Sequence, residues 1–458
     1  MADLGAQLAE VVGAAHALTG AAISADYAHD ESLSFPAQAP ACLVRPADAE
    51  QVAAVLKLAA AAGTPVTARG SGSGMCGAAT PVPEGIVLSF ERMNSIVDVD
   101  PVNFVAVVQP GVTLSELDEA LAGHGLTYPV YPGELSATVG GTVATNAGGM
   151  RAVRYGVTRA NVLGLQLALP DGELIRTGGP IAKCSTGYDL TQLVIGSEGT
   201  LALVTEATLK LHPRLPHQQT VLAPFTDLDE VIRAVPRILA AGLAPHILEY
   251  IDALTMAAIT HTTDLTLGVP DQVRDTAQAY LVVALENRDA DRLAEDVNAV
   301  AEMLAGDLGA MDAYVLDGPA AHKLIEAREK AFWTAKAAGA QEIIDVVVPR
   351  GAMPEFFATV RKLAQDTGSG AVGCGHAGDG NVHLAIFQAD EQVRHELLHG
   401  IFAAGVAAGG AISGEHGIGR EKKSHFQALE NPAKLALMRR LKLAFDPDGV
   451  LNPGVLFD

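Results

Sequence analysis

The chain has no lysine- or arginine-rich run, no C-x-x-C pair and no apolar stretch long enough to cross a bilayer. Each absence removes a class of function. Its 31 lysines and arginines face 53 aspartates and glutamates, a formal charge of −22. Nucleic acid and anionic membrane surfaces are therefore poor partners for its body. Anions must be held by a few placed arginines and by backbone amides. The cysteines, Cys42, Cys76, Cys184 and Cys374, have neither metal-site spacing nor the density of a disulfide framework. They read as reduced thiols of a reducing compartment. The longest apolar run, 397–412, contains His399 and four glycines and falls short of the roughly 20 residues a spanning helix needs. The first lysine or arginine is Arg45, so the N-terminus lacks the positive flank of a targeting peptide. The expected location is the cytoplasm, with docking on a membrane-bound partner left open.

With 458 residues, 49% of them hydrophobic, the chain exceeds what one core normally sustains, and two or three domains are expected. Leu4, Leu8, Val11 and Val12 predict a short N-terminal helix. Asp48 with Gln51, and Thr113 with Glu116, are capping-box spacings that open helices ending at Gly63 and Gly123. Pro170-Asp171-Gly172 reads as the turn of a hairpin. From residue 218 strands alternate with helices at lengths typical of a helix-covered sheet, as in 221–225, 247–251, 281–285 and 343–348.

Two glycine-rich regions carry the chemistry. Arg69-Gly70-Ser71-Gly72-Ser73-Gly74-Met75-Cys76-Gly77 contains a formal G-x-G-x-x-G, yet Pro81 and Pro83 follow where a dinucleotide-binding turn needs a helix. It is not a Rossmann turn. What remains is a run of bare backbone N–H groups suited to phosphate. Residues 131–149 carry no charge beyond Glu134, and their small side chains let a flat molecule lie against backbone. Further on, Cys374-Gly375-His376-Ala377-Gly378-Asp379-Gly380-Asn381-Val382-His383 is answered by Ser413-Gly414-Glu415-His416-Gly417-Ile418-Gly419. Three imidazoles and a carboxylate in two such segments form a donor set for a divalent metal of the zinc or manganese type. Asp379 and Asn381 read as loop-shaping residues.

Residues 69–77, Ala144 to Gly149 with Arg154-Tyr155-Gly156, Gly187-Tyr188-Asp189-Leu190 and Gly196-Ser197-Glu198-Gly199-Thr200 resemble the flavin-binding module of the vanillyl-alcohol oxidase and p-cresol methylhydroxylase superfamily. Taken with the histidine segments and Phe445-Asp446-Pro447-Asp448-Gly449-Val450-Leu451-Asn452-Pro453-Gly454, the chain from about residue 35 resembles the FAD-linked D-2-hydroxyacid dehydrogenases. Those include D-lactate dehydrogenase, the flavin subunit of glycolate oxidase and D-2-hydroxyglutarate dehydrogenase.

The resemblance implies an α+β fold: a two-subdomain FAD-binding module of the p-cresol methylhydroxylase type, plus a cap domain with a mainly antiparallel sheet covered by helices. Expected segments are a helical N-terminus (1–34), the FAD module (35–214), the cap with the metal site (215–440) and a C-terminal return to the module (441–458). FAD is expected to be non-covalent, because the first glycine loop has no histidine. Arg69, Gly70, Ser71, Gly72, Ser73 and Gly74 are implied at the pyrophosphate. Pro132, Gly133, Ser136, Thr138, Gly140, Gly141, Ala144, Thr145, Asn146, Gly148 and Gly149 are implied along the ring and adenine. Tyr155, Gly156, Glu198, Gly199 and Asn452 complete the cofactor set. His376, His383 and Glu415 are the implied metal ligands, His416 the general base and Arg328 the grip on the substrate carboxylate.

The implied reaction oxidises a small D-2-hydroxyacid of the D-lactate or glycolate type. Electrons would pass on to an unidentified acceptor: a cytochrome, a quinone, an electron-transfer flavoprotein or a partner subunit. Assembly into a homo-oligomer is left open. Ile343 and Ala385 stand where the hydroxyglutarate branch tends to carry lysine and asparagine, and Thr142 where many relatives carry asparagine. Two other readings are a superfamily flavoenzyme with a bulkier substrate and a flavin-carrying electron-relay subunit.

Overall fold

The structure is a computed structural model and describes residues 2–263 and 265–457. Its N-terminal half holds two sheets. In the smaller, Cys42–Val44, Ile86–Ser89 and Val66–Arg69 run parallel, with Ala17–Thr19 antiparallel on the outer edge. The helix Ala49–Ala62 supplies the crossover from Cys42–Val44 to Val66–Arg69, leaving the place between them to Ile86–Ser89. Asp48 caps it by accepting from Gln51 N at 2.8 Å, and Gly63 ends it at φ +60°. The N-terminal helix Ala2–Val12 buries Leu8 and Val12 against this layer.

The second sheet is antiparallel, in the order Ile96–Asp100, Val105–Val108, Leu203–Lys210, Val162–Ala168, Leu174–Gly178. Its last two strands are the expected hairpin. Leu114–Ala122 packs on it, capped by the complete Thr113/Glu116 box. The chain's far end returns here: Val66 pairs with Leu451 beside the first sheet.

Residues 217–387 supply a seven-stranded antiparallel sheet, in the order Tyr314–Leu316, His217–Phe225, Ala279–Asn287, Ile247–Asp252, Gly370–Gly375, Asn381–Phe387, Glu342–Val347. Leu228–Ala240, Ala290–Ala305, Met353–Asp366 and Glu391–Ala407 bury their apolar stripes on one face. The apolar run at 397–412 is mostly the last of these, with Leu397, Leu398, Ile401 and Phe402 buried. On the opposite face Ala253–Thr263 and Gly318–Glu329 cover only part of the sheet. The rest of that face is a wall of the cavity described next.

Candidate active site

One cavity of about 640 Å³ is walled on one side by the first glycine loop and the segment after Pro132, and on the other by the seven-stranded sheet. At the sheet wall the chain turns sharply after Gly370–Gly375, and Gly380 at φ +79° starts the next strand. This hairpin presents His376 and His383 with ring centroids 4.9 Å apart. Glu415 reaches both: its Oε1 lies 3.1 Å from His376 Nε2 and 3.2 Å from His383 Nε2. The donor atoms all lie within 4.8 Å of one another. His383 Nε2 is buried and, despite that proximity, makes no hydrogen bond. Two imidazole nitrogens and a carboxylate, one nitrogen orphaned, fit a divalent cation.

Two buried carboxylates hold this set in place, and the sequence reading assigned neither a role. Glu249 sits mid-strand in Ile247–Asp252. Its Oε1 is 2.5 Å from His376 Nδ1 and its Oε2 2.8 Å from the Arg328 guanidinium. It thereby fixes the imidazole whose other nitrogen faces Glu415. Asp345, fully buried, accepts from the backbone N–H of Gly414, Glu415 and His416 at 3.0, 2.7 and 2.8 Å, and from Lys422 Nζ at 2.5 Å. Burial would raise its pKa, but His416 and Lys422 outweigh that and hold it down at about 2. Each is the one acid in the interior of its strand, the other acid, Asp252 or Glu342, standing at a strand end.

His416 lines the cavity with its ring centroid 5.0 Å from that of His383. Its Nδ1 lies 3.5 Å from Asp345 Oδ1, and burial pushes its pKa down to about 4, leaving a neutral imidazole. Arg328 also lines the cavity; its Nη2 is the atom paired with Glu249 Oε2, and its Nε lacks a hydrogen-bond acceptor. The four histidine-segment residues and the arginine singled out from the sequence therefore converge on one space.

Fourteen of the residues expected at the cofactor line the same cavity: the loop 70–74, Pro132, Gly133, Thr138, Gly141, Ala144, Thr145, Glu198, Gly199 and Asn452. The other eight do not. Arg69 lies beneath the loop, where a Cβ on Gly72 would meet its guanidinium, and donates to His29 O at 2.6 Å. Ser136 is exposed and bonded to Glu134. Gly140 packs on Pro110, Gly149 against the carbonyl of Tyr131, and Gly148 leaves room for Glu415 Oε2. Asn146 accepts from Arg159 N at 2.9 Å, the Tyr155 hydroxyl donates to Glu286, and Gly156 ends a short helix at φ +74°. Small residues here mark close backbone packing as much as cofactor space.

Two of the lining residues act as clamps. Glu198 accepts from the N–H groups of Ile418 and Gly419 at 2.9 and 2.8 Å, tying the histidine-bearing loop to the turn that precedes Leu203–Lys210. Burial raises its pKa to about 7. Asn452 donates to the carbonyls of Ala78 and Glu198 at 2.9 and 2.8 Å. The Thr142 hydroxyl bonds to Val139 O. Missed from the sequence was the helix Ala253–Thr263, whose Thr255, Ala258 and Ile259 face the cavity. The bare loop at 70–74, opening on the same space as the donor set, fits an extended phosphate-bearing cofactor.

The comparisons agree with this architecture. Residues 214–456 match the family model for FAD linked oxidases, C-terminal domain, and residues 40–178 that for the FAD binding domain. An uncharacterized FAD-linked oxidoreductase of Mycobacterium tuberculosis is 63% identical over 457 residues, 100% of this chain and 99% of that one. The D-lactate dehydrogenase of Anaerostipes hadrus is 37% identical, covering 95% and 94%. The glycolate oxidase subunit GlcD of Bacillus subtilis is 34% identical, covering 94% and 92%. The solved structure of p-cresol methylhydroxylase superposes with a TM-score of 0.78 at 18% identity, over 100% of this chain and 97% of that one. The chain thus shares the fold of p-cresol methylhydroxylase, belongs to the FAD-linked oxidases of the D-lactate dehydrogenase and GlcD type, and is an FAD-linked oxidoreductase.

Proposed function

We propose that the protein oxidises a 2-hydroxyacid of the D-lactate or glycolate type to the 2-oxoacid, taking the D enantiomer where the acid is chiral. The observation that carries this reading is the convergence of His376, His383, Glu415, His416 and Arg328 on the cavity that the glycine loop opens into. When bound, FAD held without a covalent bond supplies the two-electron acceptor, and a divalent cation, zinc or manganese, supplies Lewis acidity at the substrate oxygens. Arg328, steadied at Nη2 by Glu249, grips the carboxylate with its remaining guanidinium donors. His416 takes the hydroxyl proton at Nε2, its Nδ1 being turned to Asp345. The tie from Glu198 to Ile418 and Gly419 keeps the base close to the cofactor wall.

The division into an FAD module (35–214), a cap (215–440) and a returning segment (441–458) goes with this reading. So does an electron acceptor outside the chain, since relatives bear the name of a glycolate oxidase subunit. Among the described residues no helix is long and apolar enough to cross a membrane, and attachment there would run through a partner. The test is anaerobic. Flavin absorbance of the FAD- and metal-loaded protein should bleach with a D-2-hydroxyacid and not with L-lactate. A flavin that stays oxidised with every 2-hydroxyacid tried overturns the reading and favours an electron-relay subunit.

A further inference from the structure

The wall beyond the metal set is laid out in rows by strand register. Cys374 and Asp345 flank His383 in the first row. One step out, Val372 and Ile343 flank Ala385. At the next, Gly370 pairs with Phe387. Alternate residues of a strand face the same side, so each row lies about 7 Å beyond the last. The first row is polar and chemical, whereas the second and third carry only hydrocarbon and a glycine. A Cβ on Gly370 would come within 3.2 Å of Phe387, so the missing side chain is what lets that ring lie across the end of the wall.

The opposing side is largely apolar, with the hydroxyls of Thr255 and Thr334 as its exceptions on the two helices. Phe332 and Ala335 of Ala331–Ala337 and Ile259 of Ala253–Thr263 face the same space. Lys336, on the first of these helices, is turned outward onto Glu31 at 2.7 Å. Arg328 is the only lysine or arginine lining the cavity among the described residues. If it holds the substrate's own carboxylate, no cation remains for a second one.

We infer that the second and third rows form a side-chain subsite for an extended apolar group, making the preferred substrate a 2-hydroxyacid with a straight aliphatic or aryl tail instead of glycolate, lactate or a dicarboxylate. The inference rests on the 2-hydroxyacid oxidation proposed above and shifts its preferred substrate from the shortest acids to longer ones. Hydrocarbon moved from water onto Val372, Ala385, Ile343 and Phe387 gains about 0.8 kcal/mol per methylene, about fourfold in kcat/KM when the gain is fully realised. A polar ω-group gains nothing there and loses its hydration.

The test is a chain-length series of anaerobic flavin reduction with the loaded protein: glycolate, D-lactate, D-2-hydroxybutyrate, D-2-hydroxyhexanoate, D-phenyllactate and D-2-hydroxyglutarate. The expected result is a rise in kcat/KM on the order of 50-fold from D-lactate to D-2-hydroxyhexanoate, with D-2-hydroxyglutarate lowest among the chiral acids. A flat or falling series with D-lactate still oxidised overturns the subsite and leaves the proposed function standing. No reduction by any member overturns the proposed function instead. Two variants act on the second row. Ala385→Phe should cut the hydroxyhexanoate-to-lactate ratio of kcat/KM at least tenfold, and Ile343→Lys should raise the hydroxyglutarate-to-hydroxyhexanoate ratio by a similar factor. Both are compared at equal FAD content and unfolding midpoint. Ratios that stay at the parent value in both place the tail elsewhere.

Discussion

Along Asn381–Phe387, Val382, Leu384 and Ile386 turn into the core beneath the helices, while His383, Ala385 and Phe387 turn into the cavity. Glu342–Val347 divides the same way, with Ile344 and Val346 against Ile343 and Asp345. Two faces of one sheet thus do different work. The helix-covered face holds the fold by apolar burial, and the cavity face carries buried charge. The period of two lets chemistry occupy one face without interrupting the packing of the other.

Substitutions on each face should separate the two roles. The largest effect is expected at His416: His416→Ala should slow flavin reduction by about 10²–10⁴-fold, with FAD, metal and unfolding midpoint near the parent. His376→Ala should instead release the metal, as read by elemental analysis. Loss of metal from both variants to the same degree would merge base and ligand. Asp345→Asn crosses the divide, because it leaves Lys422 buried without its anion. A loss of about 3–5 kcal/mol in denaturant unfolding is expected, together with a disordered Glu415–His416 loop and impaired turnover. Leu384→Ala should cost about 2–5 kcal/mol and leave the flavin-reduction rate per folded molecule unchanged. A matching fall in rate would show that the faces are coupled. Glu249→Gln should weaken metal binding by about 10–100-fold with a smaller effect on unfolding.

The mildest test is a pH one, behind the covered face. His425 stacks on His395 at 4.5 Å between ring centroids and lies near His399. Burial, with these two neighbours, lowers its pKa from 6.5 to about 4. A folded-state pKa below the unfolded one means the contribution is fully present above pH 6.5 and is lost as pH falls towards 4. His425→Phe should flatten that part of the stability profile, measured by urea unfolding between pH 7 and 5. An unchanged slope would assign the acid sensitivity to other groups.

Much of the plan was legible in the chain. The capping residues Asp48 and Thr113, the Pro170–Gly172 turn and the strand alternation in the cap report local chemistry that tertiary contacts leave intact. His376, His383, Glu415 and His416 were legible because imidazoles among glycines have no packing purpose. Glu249 and Asp345 went unassigned because what they do depends on partners far away in sequence: Arg328 and His376 for one, Lys422 and the loop amides for the other. Of the eight expected cofactor residues that lie outside the cavity lining, four are glycines, Gly140, Gly148, Gly149 and Gly156, and these share a cause. A glycine records that something lies close and not what it is: at Gly140 the neighbour is Pro110, and at Gly149 the carbonyl of Tyr131. The helix Ala253–Thr263 was overlooked because its apolar residues do not gather on one side.

Asn452 bonds to Thr67, Ala78 and Glu198, and Leu451 extends the first sheet beside Val66. During synthesis on the ribosome, a pocket begun near residue 66 therefore waits for almost four hundred further residues before its final strut arrives. Until residue 452 has been made, the N-terminal half lacks the amide that joins Ala78 to Glu198 at the edge of the cavity.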